Sequence, residues 1–321
     1  MAVAYGGTIP APWAARATVR FDPTDQNYIA NQVARPIGVE DKAGTLPYIG
    51  RQGMVPDGTS SKRAPGSAYQ RDDLQANGTA YECLSYGREG TVPVEVQKRY
   101  QSIMNVVALG AMKARGKLAV DREIRIENLI INTTTFTGAA LYKDYKATPW
   151  STAGTDVLAQ IRFAKDAMRS NSGMQPNAVV MGRGAMNNLK FVNSDIQDRL
   201  KYVMRASPGI IEAQMADLFE VKYIIVGDAI YDSGNEEDDD ITGTDIWGDD
   251  YVQVCRIAET DDPEENCISR IINWQAMGAG TDSSVGYYNE QQTKSTIVQV
   301  DQYSDELIID TKMGFLLRVE T

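Results

Sequence analysis

Acidic side chains are the most plentiful reactive groups in this chain, and histidine is missing altogether. Without histidine there is no Ser-His-Asp or Cys-His catalysis, no histidine-ligated zinc and no ordinary proton shuttle. Carboxylate, lysine and tyrosine chemistry stay open. A glycoside hydrolase would need two acids across a cleft. Glu123, Glu127 and the late acidic loop offer candidates, but only because acids are abundant. The densest run is Glu236-Glu237-Asp238-Asp239-Asp240. It lacks the alternating ligand spacing and central glycine of a calcium loop. It reads as a solvated loop, or as a weak cation site at a junction between subunits. Cys83, Cys255 and Cys267 are odd in number and show no CxxC spacing. That pattern suits buried or free thiols in a reducing compartment, and nothing in the spacing supports a Cys255–Cys267 disulfide.

One segment resembles a nucleotide fingerprint. The apolar run AVVM leads into Gly182-Arg183-Gly184 and a helical stretch. The third glycine position is Asn187, and no acid ends a following strand at the expected distance, so a plain strand-turn-helix is the better reading. There is no GxxxxGK[ST] loop and no GxSxG elbow. The sequence therefore assigns no catalytic, cofactor-binding or metal-ligating residue, and no cofactor is expected. Its candidate functional residues are cations placed for contact: Arg16, Arg20 and Arg35 near the N-terminus, and Arg51, Lys62, Arg63 and Arg71 in a following loop. They are too few for tight phosphate binding, and pairing with acids of a neighbouring subunit is the favoured use.

The balance of charge fits that use. The chain of 321 residues carries a net charge of −11, unevenly spread. Residues 225–265 hold fifteen acids against one arginine, whereas residues 1–71 hold eight basic residues against five acids. Such a protein is a poor wrapper for DNA, although it could line a surface that must not stick to it. Hydrophobic content of 43% is that of a folded chain. No apolar run approaches the roughly eighteen residues of a membrane span. The N-terminus lacks a basic region followed by an apolar stretch, so no signal peptide is expected. Asn77-Gly-Thr79 and Asn132-Thr-Thr134 then match the glycosylation pattern by chance.

These groups must be positioned by mixed α+β elements without regular βαβ repetition. Pro93–Asn132 reads as nearly unbroken helix, with Val96, Tyr100, Ile103, Val107, Ala111, Ala114 and Leu118 in one apolar stripe. At about 40 residues it would span roughly 60 Å, beyond one compact core. Gly110 and Gly116 could kink it, permit close packing, or simply be tolerated. Residues 45–92 read as an extended two-stranded arm with turns near Pro56-Asp57-Gly58 and Pro65-Gly66. A short helix is expected around Pro23–Ala34. Further helices are expected at Thr155–Ser170, Ala185–Phe191, within Asn193–Arg205 and at Glu212–Phe219. Strands are expected at Ala178–Met181, Val221–Val226, Tyr251–Ile257, Ser295–Val300 and Glu306–Val319.

This order of parts resembles the major capsid proteins of tailed bacteriophages, whose fold is shared with herpesvirus capsid floors and encapsulins. Tyr81–Leu84 (YECL) ahead of Pro93 is similar to the end of that family's extended loop, and Leu118–Arg125 (LAVDREIR) to its late-spine segment. Thr148–Ser151 (TPWS), Gln175–Leu189, Asn193–Tyr202, Ala216–Val221 and Ile246–Gly248 follow in the order of one branch. The resemblance covers about three quarters of the chain, and the order of the motifs carries its weight. It implies an N-terminal arm over residues 1–44 and an extended loop over 45–92. A spine helix and peripheral domain would occupy 93–150, completed by 292–321, and an axial domain 151–291. It implies self-assembly into hexamers and pentamers of an icosahedral shell around double-stranded DNA, in the virion, with assembly in the host cytoplasm. With the spine starting near residue 93, a separate scaffolding protein is implied. A portal and a decoration protein would be further partners, and DNA would be contacted weakly. Some members crosslink a loop lysine to an asparagine, and Lys62 is the interior loop lysine, but no activating acid is marked. An encapsulin-like compartment, another phage structural protein and a carboxylate enzyme are the competing readings.

Overall fold

The segment expected to form one spine is divided in two. The computed structural model describes residues 28–49, 58, 60–69, 71, 76–100, 105–200, 208–234, 242–275 and 283–320. In it a strand runs to Pro93, a short helix covers Val94–Tyr100, and the main helix starts afresh at Val106. Asn105 explains the restart. Its backbone is extended (φ −86°, ψ 93°), and its side chain accepts the Ala108 N–H at 3.2 Å. A residue in that conformation caps a new helix and cannot continue an old one. Pro93 closes a strand instead of opening a helix. The main helix keeps 25 residues, Val106–Ile130, or roughly 37 Å.

In chain order the first elements are α1 (Ala30–Val33), β1 (Arg35–Val39), β2 (Ala43–Ile49), β3 (Ala76–Glu82), β4 (Leu84–Pro93), α2 (Val94–Tyr100), α3 (Val106–Ile130) and β5 (Tyr142–Asp144). Next come α4 (Val157–Ser172), β6 (Ala178–Gly182), α5 (Arg183–Phe191), α6 (Ser194–Leu200), α7 (Pro208–Phe219) and β7 (Tyr223–Gly227). The chain ends with β8 (Ile230–Asp232), β9 (Gly243–Asp245), β10 (Tyr251–Cys255), β11 (Ser269–Trp274), β12 (Ser284–Glu290), β13 (Ser295–Ile308) and β14 (Gly314–Arg318). Of the helix expected around Pro23–Ala34, Ala30–Val33 is present, and residues before 28 lie outside the described residues.

The first sheet is built on β13. Strand β4 pairs antiparallel along one edge. The other edge holds β12 beside residues 295–301 and β11 beside residues 304–308. Strand β1 lies parallel outside β11. One face of this sheet carries α3. Val300 packs on Ala114 and Leu118, and Arg125 forks onto Glu306 at 2.9 and 3.0 Å. A Cβ on Gly90 would stand 2.5 Å from the carbonyl oxygen of Gly110. Gly110 therefore serves close packing of helix on strand. The buried line of α3 runs through Ala114, Leu118, Arg122, Ile126 and Ile130. The expected stripe was broader, and its first member, Val96, is 38% exposed.

The second sheet has the order β5-β14-β10-β6-β7 and is buried on both faces. Val179, Met181, Val252, Val254, Phe315 and Leu317 point into one core with α4, α5 and α7. Ala178, Val180, Cys255 and Leu316 point into the other, which contains Ile126 and Ile130 of α3. This explains why β6 reads as a continuous apolar run instead of an alternation. Helix α4 follows expectation: Asp156 caps it through the Ala159 N–H at 2.9 Å, and Gly173, at φ +79°, ends it. Glu306–Val319, expected as one strand, is two. Strand β13 ends at Ile308, Asp310 caps a short turn through Lys312 at 2.9 Å, and β14 crosses into the second sheet between β10 and β5.

Candidate assembly surfaces

One buried carboxylate joins three parts of the chain. Glu123 on α3 is fully buried. It accepts the N–H of Ile29 at 2.7 Å, the N–H of Ala30 at 2.9 Å and the indole N–H of Trp247 at 2.9 Å. Burial raises its pKa, and these donors oppose the rise. The carboxylate caps the first turn of α1 and holds the loop after β9 against the main helix. Three donors hold it in place and its side chain is fully buried. Glu127, one turn on, has its carboxyl pushed up to about 7 by burial. The two acids sit in the scaffold and not across a cleft.

The extended loop is paired at its base. Strands β2 and β3 form an antiparallel ladder from Ala43–Glu82 to Ile49–Ala76. Cys83, buried beneath it, has its thiol pushed up to about 11 by burial. Farther out, the Ser67 N–H reaches Ala64 O at 3.1 Å across a turn at Pro65-Gly66, where Gly66 takes φ +83°. Lys62, Arg63 and Arg71 are exposed there. Arg63 lies 4.0 Å over the Tyr69 ring and donates to Ser67 O at 3.0 Å. Arg35 is part-exposed on β1. Its guanidinium pairs within the chain, with Asp261 at 2.5 Å and Glu259 O at 2.8 Å. Arg16, Arg20 and Arg51, the Pro56-Asp57 turn and the run Glu236–Asp240 lie outside the described residues.

The remaining chemistry-capable features are structural. Asp249 accepts the N–H of Gly184 at 2.8 Å, so a carboxylate of the chain itself occupies the helix start where a phosphate would sit in a nucleotide site. A Cβ on Gly182 would lie 2.4 Å from Gly248 O, so this glycine serves the same packing. The acidic turn 259–265 wraps a buried arginine, with Arg270 donating to Thr260 O at 2.9 Å and Asp262 O at 2.6 Å. All three cysteines are buried free thiols. Asn132 Oδ1 accepts the Thr134 N–H at 2.9 Å in a turn after α3. An open cavity of about 620 Å³ beside Asp156, Arg162, Asp195, Asp198 and Arg199 mixes both signs of charge. Among the described residues there is no cluster of three potential metal ligands and no helix long and apolar enough to cross a membrane. No local signal marks the Glu123 contact, because it joins residues 93 and 124 positions apart.

A long helix riding on a sheet, a paired extended loop at one end, and a second double-faced sheet tied in by the last strand make up the tailed-phage major capsid fold, as the resemblance implied. No family model matches the chain. A curated relative, the major capsid protein of Burkholderia phage BcepMu, is 25% identical over 227 residues, 70% of each chain. A phage-related protein from Bordetella bronchiseptica superposes with a TM-score of 0.69 at 19% identity, covering 97% of this chain and 98% of that one. The capsid of cyanophage P-SCSP1u gives 0.58 at 10% identity over 99% and 92%, and a virus-like particle from Pyrococcus furiosus 0.53 at 10% over 97% and 100%.

Proposed function

We propose that the chain is a major capsid protein: a structural subunit that assembles into hexamers and pentamers of an icosahedral phage shell. The observation that carries this is the fold along nearly the whole chain, joined to sequence similarity with a phage major capsid protein. The sequence relative favours a phage shell over an encapsulin-like compartment. Ring-forming subunits must join unlike surfaces head to tail, and an extended loop projecting from a rigid sheet supplies one of them. Many weak contacts per subunit then sum to a durable shell. Residues 1–44, 45–92, 93–150 with 292–321, and 151–291 serve as arm, loop, peripheral domain and axial domain. The loop cations Lys62, Arg63 and Arg71 meet acids of a neighbouring subunit. A scaffolding protein, a portal, a decoration protein and weakly contacted double-stranded DNA are the further partners, and the virion is the final location.

Sedimentation velocity tests this directly. The chain co-expressed with its scaffolding protein should run as large closed particles, and replacing Lys62, Arg63 and Arg71 together by serine should return it to slow species while leaving its circular dichroism intact. A slow species for the unaltered chain would remove the shell reading. Unchanged particles in the triple variant would remove only the role of those cations.

A further inference from the structure

Strand β13 carries β11 and β12 end to end along one side. Outside β11 stands β1. Outside β12, among the described residues, no strand stands. Its sequence, SVGYYNE, has no lysine or proline, the residues that commonly keep an edge strand from pairing. It exposes apolar surface too: Val285 is 57% exposed, Tyr287 79% and Tyr288 42%. Such an edge accepts another strand, and the residues of β12 select which one.

β12 is complementary to a second copy of itself. In an antiparallel pair centred on Tyr287, that residue meets its own copy, Gly286 meets Tyr288, Val285 meets Asn289 and Ser284 meets Glu290. Opposed residues share a face. Val285 and Tyr287 lie opposite Val300 and Val298, on the face that carries α3. Across the seam the two tyrosines and, on the diagonals, the two valines make one apolar patch. On the other face a Cβ on Gly286 would have nothing within 4 Å, which leaves room for the ring of the partner's Tyr288, a glycine–aromatic pairing that suits an edge. Glu290 is the one charged residue of the strand, and here it meets a serine instead of a second glutamate. Moving the centre to Gly286 sets glycine against glycine and runs Asn289 and Glu290 past the end of the opposing strand.

The symmetry of this pair suits a shell. Its two-fold axis stands perpendicular to the sheet, so two five-stranded sheets become one continuous sheet with both copies of α3 on the same side. A wall one subunit thick requires this, because every subunit must turn the same side inward. Head-to-tail contacts build a ring, whereas an isologous contact of this kind joins one ring to the next. Two seven-residue strands bury far less than the roughly 1,200 Å² of a stable pair. The contact is therefore weak between free chains and gains strength by repetition over a shell.

We propose that β12 is a contact between rings: an antiparallel pair of β12 strands from two copies, centred on Tyr287, across a two-fold axis normal to the shell wall. The setting is the capsid shell, so the placement between rings rests on that reading, while the strand pair itself can be measured without it.

Cysteine pairing in the full chain is the test, since the native cysteines are all buried. In assembled particles, Tyr287→Cys should give a reducible dimer on mild oxidation, because opposed Cα atoms lie about 4.5–5.5 Å apart, within disulfide reach. Val285→Cys and Asn289→Cys should each stay monomeric. The double variant Val285→Cys/Asn289→Cys should crosslink with Tyr287 intact. The same pattern should appear in the concentrated, unassembled chain and vanish on dilution. Particles that form normally but give no dimer from Tyr287→Cys or from the double variant overturn the proposal. Equal crosslinking of all three single variants would mark random collision and overturn it too. Slow hydrogen exchange at every N–H of residues 284–290 in the dilute chain would show the edge filled within one chain, which also overturns it. An unaltered chain that forms no particles, yet gives the dimer pattern when concentrated, removes the capsid reading and keeps the strand pair.

Discussion

Glu123 is the residue on which most of the chain's long-range order converges. Replacing it by glutamine keeps the shape but turns an NH2 toward one of the backbone N–H groups it now accepts. Leaving a buried donor unpaired should cost about 2–4 kcal/mol, read as a lower denaturation midpoint with altered Trp247 fluorescence. Glu127 should behave in the opposite sense. Burial raises its carboxyl to about 7, so the folded chain binds a proton there more tightly than the unfolded chain, whose glutamates titrate near roughly 4.3. The stability it contributes is full below the unfolded value and is lost as pH rises through about 7. Glu127→Gln should therefore raise the melting temperature at pH 8 by roughly 2–4 °C, with little change at pH 4. Melting curves that keep the same pH dependence in the variant would show that another group sets it.

At the scale of elements, helix and sheet meet through glycine. Because a Cβ on Gly90 would press on Gly110 O at 2.5 Å, Gly90→Ala should cost about 1–3 kcal/mol by overpacking. A neutral result in chemical denaturation would mean that α3 can lift from β4 freely. These contacts also show what the sequence made legible. Helix α4 was readable because Asp156 at its start, the apolar stripe Val157, Ile161, Ala164 and Met168, and Gly173 at its end all carry local signals. Strand β6 was readable as a short apolar run. The break at Asn105 was missed because the apolar period continues across it, and asparagine caps a helix only through a side-chain bond that periodicity does not record. The split at Ile309–Met313 was missed for a related reason: apolar residues continue across it, from Leu307–Ile309 to Phe315–Leu317, and only the separate strand partners distinguish β13 from β14. The Arg35–Asp261 pair was not legible because the two residues lie 226 positions apart.

For the whole molecule, the order of parts was legible and the contacts between copies were not. The fold pairs the extended loop at its base and ties two sheets together through the last strand, and head-to-tail rings need unlike surfaces on one subunit. The acidic excess lies late in the chain and the basic excess early, which gives unlike surfaces for such contacts. The most direct measurement is negative-stain electron microscopy of the purified chain with and without a co-expressed scaffolding protein. Rings of five and six subunits, or closed shells, are the predicted result. A stable monomer under both conditions would contradict self-assembly as the function of this protein.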